Sequence, residues 1–258
     1  ALPFMLEGSI DSPTSALFEA VSGFTTPGAT VISDIDGLSR ATNLWRCLMH
    51  WIGGMGVVVL FVAVFPQLGV GAKHLFRTEV AGPITEGLRP KITQTAIALW
   101  WVYAGLTVLC ATLLFLAGMS PFDAICHAFS TLGTGGFSTR GASVGAFANP
   151  IVDWIVIVFM LIAGLNFALF YGALRGQPGA LFRNYEARFY VVVNVLVSLA
   201  IYLLIRSTHA SEHDAIRAAT FQTLAVTTTT GFMTDDFDVY PSVARFVLFG
   251  LMFMGGCA

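Results

Sequence analysis

Charged residues are scarce in this chain of 258 residues, where Asp, Glu, Lys and Arg together make up 11%. The formal net charge is −2, and the basic residues form no patch of the kind that a nucleic-acid partner requires. Hydrophobic residues, in contrast, account for 56% of the sequence. Because typical soluble domains contain about 25% charged residues, this composition predicts a protein of the lipid bilayer.

Patterns typical of enzymes and metal sites are also absent from the sequence. The four cysteines show no CxxC spacing, and no HExxH pair of histidines is present. The serines stand at expected helix caps and loop ends, without a paired histidine and acid. We therefore expect neither an enzyme nor a covalently bound cofactor.

Four stretches are long and apolar enough to cross about 30 Å of hydrocarbon as helices. They run from about Leu44 to Phe65, Thr95 to Ala117, Val152 to Leu174 and Phe189 to Ile205. A fifth apolar run begins near Val243 and reaches Ala258, and the apolar residues at 1–6 resemble the tail of another helix. We expect further chain beyond both ends.

The sequence contains an internal repeat. A displacement of 108 residues superimposes Ser12-Pro13 on Ser120-Pro121 and Gly28 on Gly136, and a further 95 residues bring Gly136 onto Gly231. Each copy has an apolar span, a segment of about 12 residues that starts with helix-capping residues, a loop rich in Thr and Gly, and another span. These copies are assigned to residues 1–66 (repeat 1, its first helix mostly missing), 94–174 (repeat 2) and 186–258 (repeat 3, truncated).

The short segment of each repeat cannot cross a bilayer, so we expect a re-entrant helix followed by a loop at membrane depth. Irregular backbone at that depth has unpaired N–H and C=O groups, which cost several kcal/mol each unless protein buries them or they line a water-filled path. One isolated Thr/Gly cluster is read more simply as a surface turn. Three clusters in register, each after a short capped helix, favour loops around a shared axis.

The loops read FTTPGAT from Phe24, LGTGGFST from Leu132 and TTTTGFMT from Thr227. Together with FEAVSGFTTPGATV, CHAFSTLGTGGFST, HWIGGMGVVVL, LFRTEVAGP and the terminal GGCA, they give a sequence that resembles the Trk/Ktr/HKT superfamily of potassium transporters, and within it the Trk-type membrane subunits. This resemblance covers essentially the whole chain. It implies an all-α integral membrane protein with four K⁺-channel-like repeats, of which the fourth is absent here.

By the same resemblance each repeat places one filter glycine, Gly28, Gly136 or Gly231, beside the ion path. The residues implied to bind K⁺ are Thr25, Thr26, Pro27, Gly28, Thr134, Gly135, Gly136, Thr229, Thr230 and Gly231. Pro27 departs from the threonine or other small residue expected there, although proline still supplies a carbonyl group. K⁺ is the transported ion rather than a cofactor.

Physical chemistry of the loops agrees with a dehydrating filter. A ring of carbonyl oxygens replaces the hydration shell of an ion, and glycine reaches the required backbone angles without a Cβ clash. Sequence physics does not separate K⁺ from Na⁺. A proton- or sodium-coupled symporter is an alternative, but it usually has a carboxylate at the midplane, and the predicted spans have acidic residues only at their ends. A structural scaffold would not need the three loops.

The resemblance also implies an assembly and a location. We expect potassium uptake through a gated pore in the bacterial cytoplasmic (inner) membrane. Related proteins are homodimers whose cytosolic face binds a nucleotide-binding regulatory ring subunit. Both partners are therefore expected here, besides the lipid bilayer and K⁺.

Basic and acidic residues fall on opposite sides of the predicted spans. Basic residues that predict cytoplasmic loops are Lys73, Arg77, Arg89, Lys91, Arg175, Arg183 and Arg188. Acidic residues expected at an outer rim are Asp34, Asp36, Glu212, Asp214, Asp235, Asp236 and Asp238. Such a rim would raise the local concentration of cations.

Several ionisable residues lie within predicted helices of the membrane. Arg46 and His50 belong to the first complete span, where an ionisable group is a candidate for function. We expect instead that Arg46 snorkels or packs behind the filter and that a neighbouring helix binds His50. His127 superimposes on Glu19 and Gln222, so a polar residue recurs at this position. For His127 we expect a structural hydrogen bond behind the loop rather than a metal ligand.

The pair Gly255-Gly256 lies about 12 residues beyond Val243, which is about 18 Å along a helix. Two adjacent glycines weaken a helix by on the order of 1 kcal/mol each, although they also permit close packing. Related transporters interrupt this helix with a loop that obstructs the pore. We therefore predict a break at or just after Gly255 and an intramembrane gate.

Overall fold

The computed structural model describes residues 1–64, 88–165, 169–170, 179 and 183–255, and at 57–64, 88–95, 254 and 255 it describes the backbone only. Every regular element within these residues is helical. The α-helices are α1 (Leu2–Leu6), α2 (Pro13–Thr25), α3 (Arg40–Val64), α4 (Leu88–Leu116), α5 (Pro121–Leu132), α6 (Pro150–Ala163), α7 (Tyr185–Ile205), α8 (Glu212–Thr227) and α9 (Ser242–Gly255). Short 3₁₀ turns occupy Ser143–Phe147 and Phe237–Val239.

Two helices of the described chain are long and apolar enough to span a membrane, the segment Ala96–Leu116 of α4 and the whole of α7. They correspond to the second and fourth predicted spans. Both expose large apolar side chains on their outer faces, among them Trp101, Leu116 and Val195. A helix that is apolar all round and exposed in this way is suited to contact with lipid.

The other predicted spans differ in length from the helices found. Helix α3 covers the first of them up to Val64, and Phe65 lies outside the described residues. Helix α6 ends at Ala163 because Gly164 forms its C-cap, so this helix is shorter than the predicted stretch from Val152 to Leu174. Most residues beyond Gly164 in that stretch lie outside the described part of the chain.

The predicted re-entrant segments form α2, α5 and α8, with 13, 12 and 16 residues. The Ser120 hydroxyl accepts a hydrogen bond from the N–H of Asp123 and so caps α5, and Ser211 caps α8 in the same way. Ser12 differs from this pattern, since its side chain makes no cap and lies 2.8 Å from the Thr14 hydroxyl. Proline at the first helical position is therefore the main start signal of α2.

Two of the short helices, α5 and α8, are largely buried, whereas α2 exposes Leu17, Phe18 and Val21. Helices α5 and α8 each bury eight residues. One apolar cluster joins α4, α5, α6 and α8 through residues such as Leu114, Ala128, Met160 and Phe221. Because this core contains the short helices of two predicted repeats, it holds the loops that follow them side by side.

Candidate functional site

The three predicted filter segments share one backbone pattern. We name them loop 1 (25–28), loop 2 (134–136) and loop 3 (229–231). Left-handed backbone occurs at Thr26 (φ 61°), Gly28 (φ 70°), Thr134 (φ 49°), Gly136 (φ 76°), Thr229 (φ 57°) and Gly231 (φ 73°). A threonine in this region costs on the order of 1–2 kcal/mol. The same strain at three equivalent positions indicates a functional constraint on the loops.

Neighbouring loops approach each other through their glycines. A Cβ atom placed on Gly28 would overlap the carbonyl oxygen of Gly135, and one placed on Gly136 would overlap the carbonyl oxygen of Thr230. The middle carbonyl of one loop therefore lies against the glycine of the loop before it. Only glycine permits this approach, because it has no Cβ atom and adopts the left-handed backbone without a clash.

Gly231 is in a different position. No atom of the described chain lies within 4 Å of a Cβ placed on it. The row of loops therefore has an open side at loop 3. Thr25, the first residue assigned to the filter, is still the last residue of α2, and its hydroxyl donates a hydrogen bond to the carbonyl of Val21.

One polar side chain of each short helix holds the segment that follows its loop. We name these side chains the anchor residues. The three pairs are Glu19 with the Thr30 hydroxyl (2.9 Å), His127 with the Ser138 hydroxyl (2.9 Å) and Gln222 with the Asp235 carbonyl (3.1 Å). The structural hydrogen bond predicted for His127 is thus confirmed, and the equivalent residues Glu19 and Gln222 make bonds of the same kind. Among the described residues, no three His, Cys, Asp or Glu side chains come together as a metal site.

Arg46 and His50 both lie behind the loops. Arg46 is completely buried, and its Nε donates to Glu19 Oε1 at 2.9 Å. The His50 ring stacks on Phe137 at 4.0 Å between centroids, and its Nδ1 accepts from the Phe137 N–H at 3.4 Å. The predicted packing of Arg46 behind the loops is confirmed. For His50 the expected neighbouring helix was wrong, because its partner belongs to the segment after loop 2.

Phe137 was not singled out from the sequence, although three residues of α3 contact it. Arg46 lies over its ring at 4.1 Å, His50 stacks on it, and the Cys47 thiol donates to its carbonyl. Phe232, its counterpart after loop 3, stacks on His127 instead, at 5.8 Å. The recurring Gly-Phe dipeptide was the signal in the sequence that marked both positions.

A second type of contact joins neighbouring repeats below the loops. A Cβ on Gly54 of α3 would approach Gly133 Cα within 2.8 Å and the Tyr103 hydroxyl within 2.9 Å. A Cβ on Gly164, the C-cap of α6, would overlap the Tyr190 hydroxyl and approach Thr228 Cγ2 within 3.0 Å. Gly133 and Thr228 correspond to each other under the displacement of 95 residues. A glycine of one repeat therefore packs against the C-terminal end of the short helix in the next repeat.

The predicted gate lies at the end of the described chain. Helix α9 is described as far as Gly255, and Gly256 lies outside the described residues. Helix α3 continues unbroken through Gly53-Gly54, so an adjacent glycine pair does not by itself end a helix in this protein. The break after Gly255 stays a prediction.

Several of the predicted rim acids already have partners. Asp235 lies 2.9 Å from His209 Nε2 and accepts a hydrogen bond from the Tyr240 hydroxyl at 2.8 Å. Asp36 accepts from the N–H of Gly141 at 3.1 Å. Hydrogen bonds from Ser211 and the nearby Arg217 guanidinium lower the pKa of the Asp214 carboxyl below its ordinary value. The contacts of Asp235 and Asp36 tie separate segments of the chain together.

Comparison with known proteins identifies a group of similar sequences. A family model described as TrkH, a cation transport protein, matches residues 2–258. The Trk system potassium uptake protein TrkH of Vibrio parahaemolyticus is 42% identical over 265 residues, covering 100% of this chain and 55% of that protein. The protein of the same name from Escherichia coli K12 is 40% identical over 263 residues, covering 100% of this chain and 54% of that protein.

A solved structure is similar as well. The crystal structure of the potassium transporter TrkH from Vibrio parahaemolyticus matches with a TM-score of 0.81 and 40% identity, over 93% of this chain and 49% of that one. This match confirms the all-α, K⁺-channel-like membrane fold predicted from the sequence. These relatives are transport proteins rather than enzymes. The chain spans about half the length of the curated relatives it matches.

Proposed function

The chain belongs to the TrkH family of cation transport proteins, and on that premise we propose that it lines a gated pathway for potassium uptake across the bacterial cytoplasmic membrane. The observation that carries the proposal is the row of three loops with one backbone pattern. Their strained residues recur in register, and the carbonyl of each following loop lies against a glycine of the preceding loop. Backbone held in this way offers fixed carbonyl oxygens to an ion.

In this proposal the ion gives up its hydration water to oxygen atoms of the loops. The residues that would bind K⁺ are Thr25, Thr26, Pro27, Gly28, Thr134, Gly135, Gly136, Thr229, Thr230 and Gly231. Because the loops contain no ionisable side chain, the attraction comes from backbone and hydroxyl dipoles. Selectivity then depends on the number and position of these oxygens.

A further loop beside Gly231 would complete the ring. The open side of Gly231 has the room that the carbonyl of Gly135 fills beside Gly28. The resemblance to a four-repeat family supports a fourth loop at this position. It would supply the oxygens that three loops leave missing.

The gate and the partners follow from the family in the same way. We propose that the chain after Gly255 forms an intramembrane gate below the filter. We also propose that the protein is a homodimer and that a nucleotide-binding ring subunit on the cytosolic side controls it. The gate would change the rate of K⁺ flux, whereas the loops would set ion preference.

Passive conduction fits the described residues better than coupled transport. Each buried carboxylate of the described chain, on Glu19, Asp123 or Asp153, lies within 4 Å of an arginine. Glu19 binds Arg46 at 2.9 Å, and Asp153 binds Arg217 at 3.0 Å. Since a symporter requires a carboxylate that can exchange its proton or ion, these paired groups are poor candidates.

Flux measurements on the full-length protein in liposomes test the proposal. We expect uptake of K⁺ or Rb⁺ that Na⁺ inhibits weakly and that continues when an ionophore removes the proton gradient. Uptake that stops without a proton or sodium gradient would favour the symporter. Equal uptake of K⁺ and Na⁺ would contradict the proposed filter.

A further inference from the structure

Arg46 contacts the segments that follow two different loops. On the loop 1 side its Nε donates to Glu19 at 2.9 Å, and its Nη2 donates to the Thr30 hydroxyl at 3.2 Å. Glu19 itself also accepts from the Val31 N–H at 3.0 Å. The guanidinium and the carboxylate therefore fix the chain two and three residues after Gly28.

On the loop 2 side the same guanidinium reaches the chain directly after Gly136. Its Nη1 donates to the Ser138 carbonyl at 3.4 Å, and its central carbon lies 4.1 Å from the centroid of the Phe137 ring. Ser138 and Thr30 correspond under the displacement of 108 residues. Arg46 thus binds the same position in the segments that follow two neighbouring loops.

The site has the chemistry of a permanent structural link. Both Arg46 and Glu19 have fully buried side chains, and a buried charge is tolerated only with nearly complete pairing. Asn43 Oδ1 accepts a further hydrogen bond from Nη1 at 3.2 Å. The planar fork of arginine can reach these partners at once, whereas the single ammonium of lysine cannot.

Neutral groups make the corresponding link between loops 2 and 3. The Met233 N–H donates to the Ser143 hydroxyl at 3.2 Å, and the Gly145 N–H donates to the Met233 carbonyl at 3.0 Å. Both bonds lie in exposed or partly buried outer segments. In the described chain the buried ionic link therefore belongs to loops 1 and 2.

We propose that Arg46 is a positioning residue that fixes loop 2 relative to loop 1, and that discrimination between K⁺ and Na⁺ depends on this link. The inference rests on the proposed function of the loops as an ion filter. Arg46 has no contact with the ion in this scheme. It acts by holding the carbonyl of Gly135 against Gly28, since both segments after these loops are bound to one rigid group.

Two variants of the full-length protein separate positioning from folding. R46K keeps the buried charge beside Glu19 but loses part of the fork. E19Q/R46M removes the ion pair and gives repeat 1 a glutamine anchor like that of repeat 3, and replacement of a buried pair as a whole is often neutral for stability. R140K is the matched control, because Arg140 is about half exposed and lysine can keep its two long ion pairs, 3.6 Å to Asp123 and 3.9 Å to Asp36.

The first readout is the ratio of K⁺ to Na⁺ uptake in liposomes, and the second is the rise in melting temperature that K⁺ gives over Na⁺ in detergent. We expect R46K and E19Q/R46M to lower the uptake ratio by about tenfold, the effect of losing one or two charge-assisted hydrogen bonds. Both should also reduce the K⁺-specific thermal shift. R140K should leave both readouts unchanged, and E19Q/R46M should melt near the wild type without K⁺.

A wild-type ratio in both Arg46 variants would overturn the inference while leaving the proposed function intact. If R46K does not fold, the double variant alone decides in the same way. A wild-type protein without preference for K⁺ would instead refute the proposed function, whatever the variants do. An equal loss of selectivity in R140K would show that the outer surface, rather than the buried link, sets the effect.

Discussion

Replacing Gly136 by alanine should lower the discrimination between K⁺ and Na⁺ more than it lowers the amount of folded protein. The added Cβ would overlap the Thr230 carbonyl oxygen of loop 3. Gly136 also has a φ of 76°, which an L-residue adopts only with strain. One of the two loops must therefore move, while the helices around them keep their contacts.

The expected loss of discrimination follows from the steric overlap and the backbone strain. A non-glycine residue in a disfavoured backbone region costs on the order of 1–3 kcal/mol. Relief of this strain displaces the Thr230 carbonyl, which is a proposed ligand of the ion. If this displacement weakens K⁺ binding relative to Na⁺ binding by about 1.4 kcal/mol, discrimination falls about tenfold. We expect a loss of at least that size, because the steric overlap adds to the backbone strain.

Competitive uptake of K⁺ against Na⁺ in liposomes, with the full-length protein, measures this loss. Gly105→Ala is the control, since Gly105 lies in α4 and no atom of the described chain lies within 4 Å of a Cβ placed on it. Alanine also favours a helix over glycine by up to about 1 kcal/mol. Gly231→Ala should match Gly136→Ala if a further loop packs beside Gly231. Full K⁺ discrimination in Gly136→Ala would refute the assignment of the filter, above all if Ser138→Ala abolished it.

Other predictions concern the anchor residues, the gate and the topology. His127→Ala leaves a buried hydroxyl without its acceptor and should cost about 1–3 kcal/mol, measured by thermal unfolding, and an unchanged melting temperature would contradict the anchor role. Replacing Gly255 and Gly256 by alanine should change the rate of K⁺ flux with little effect on selectivity, and an unchanged rate would remove the gate. Single cysteines should react with an impermeant reagent from outside at position Asp236 and fail to react at Lys73, and the reverse would invert the topology.

The sequence alone was sufficient to predict the positions of the loops. Gly28, Gly136 and Gly231 superimpose in the repeat, and the structure gives them φ angles between 70° and 76°. This success has a local cause, because only glycine adopts such a backbone without cost. The position of the anchor residues also has a local signal in the sequence, since a polar side chain recurs at one position of each short helix.

Links between repeats could not be predicted from the sequence. Arg46 and the Ser138 carbonyl are 92 residues apart, and the His50 contact with Phe137 spans 87 residues. No periodic pattern records such pairs, because each depends on how two repeats pack. The short length of α6 was also missed, because an apolar run continues through the glycine that caps the helix.

The anchor residues are a carboxylate, an imidazole and an amide, although the three loops share one backbone. In a pore assembled from identical subunits, a single substitution appears in every subunit at once. Here each loop belongs to its own stretch of one polypeptide, so a substitution enters one sector of the proposed pore, and it affects another sector only through the contacts between neighbouring loops. If the loops form the proposed filter, natural variation can change it one sector at a time, without the simultaneous change in all sectors that identical subunits impose.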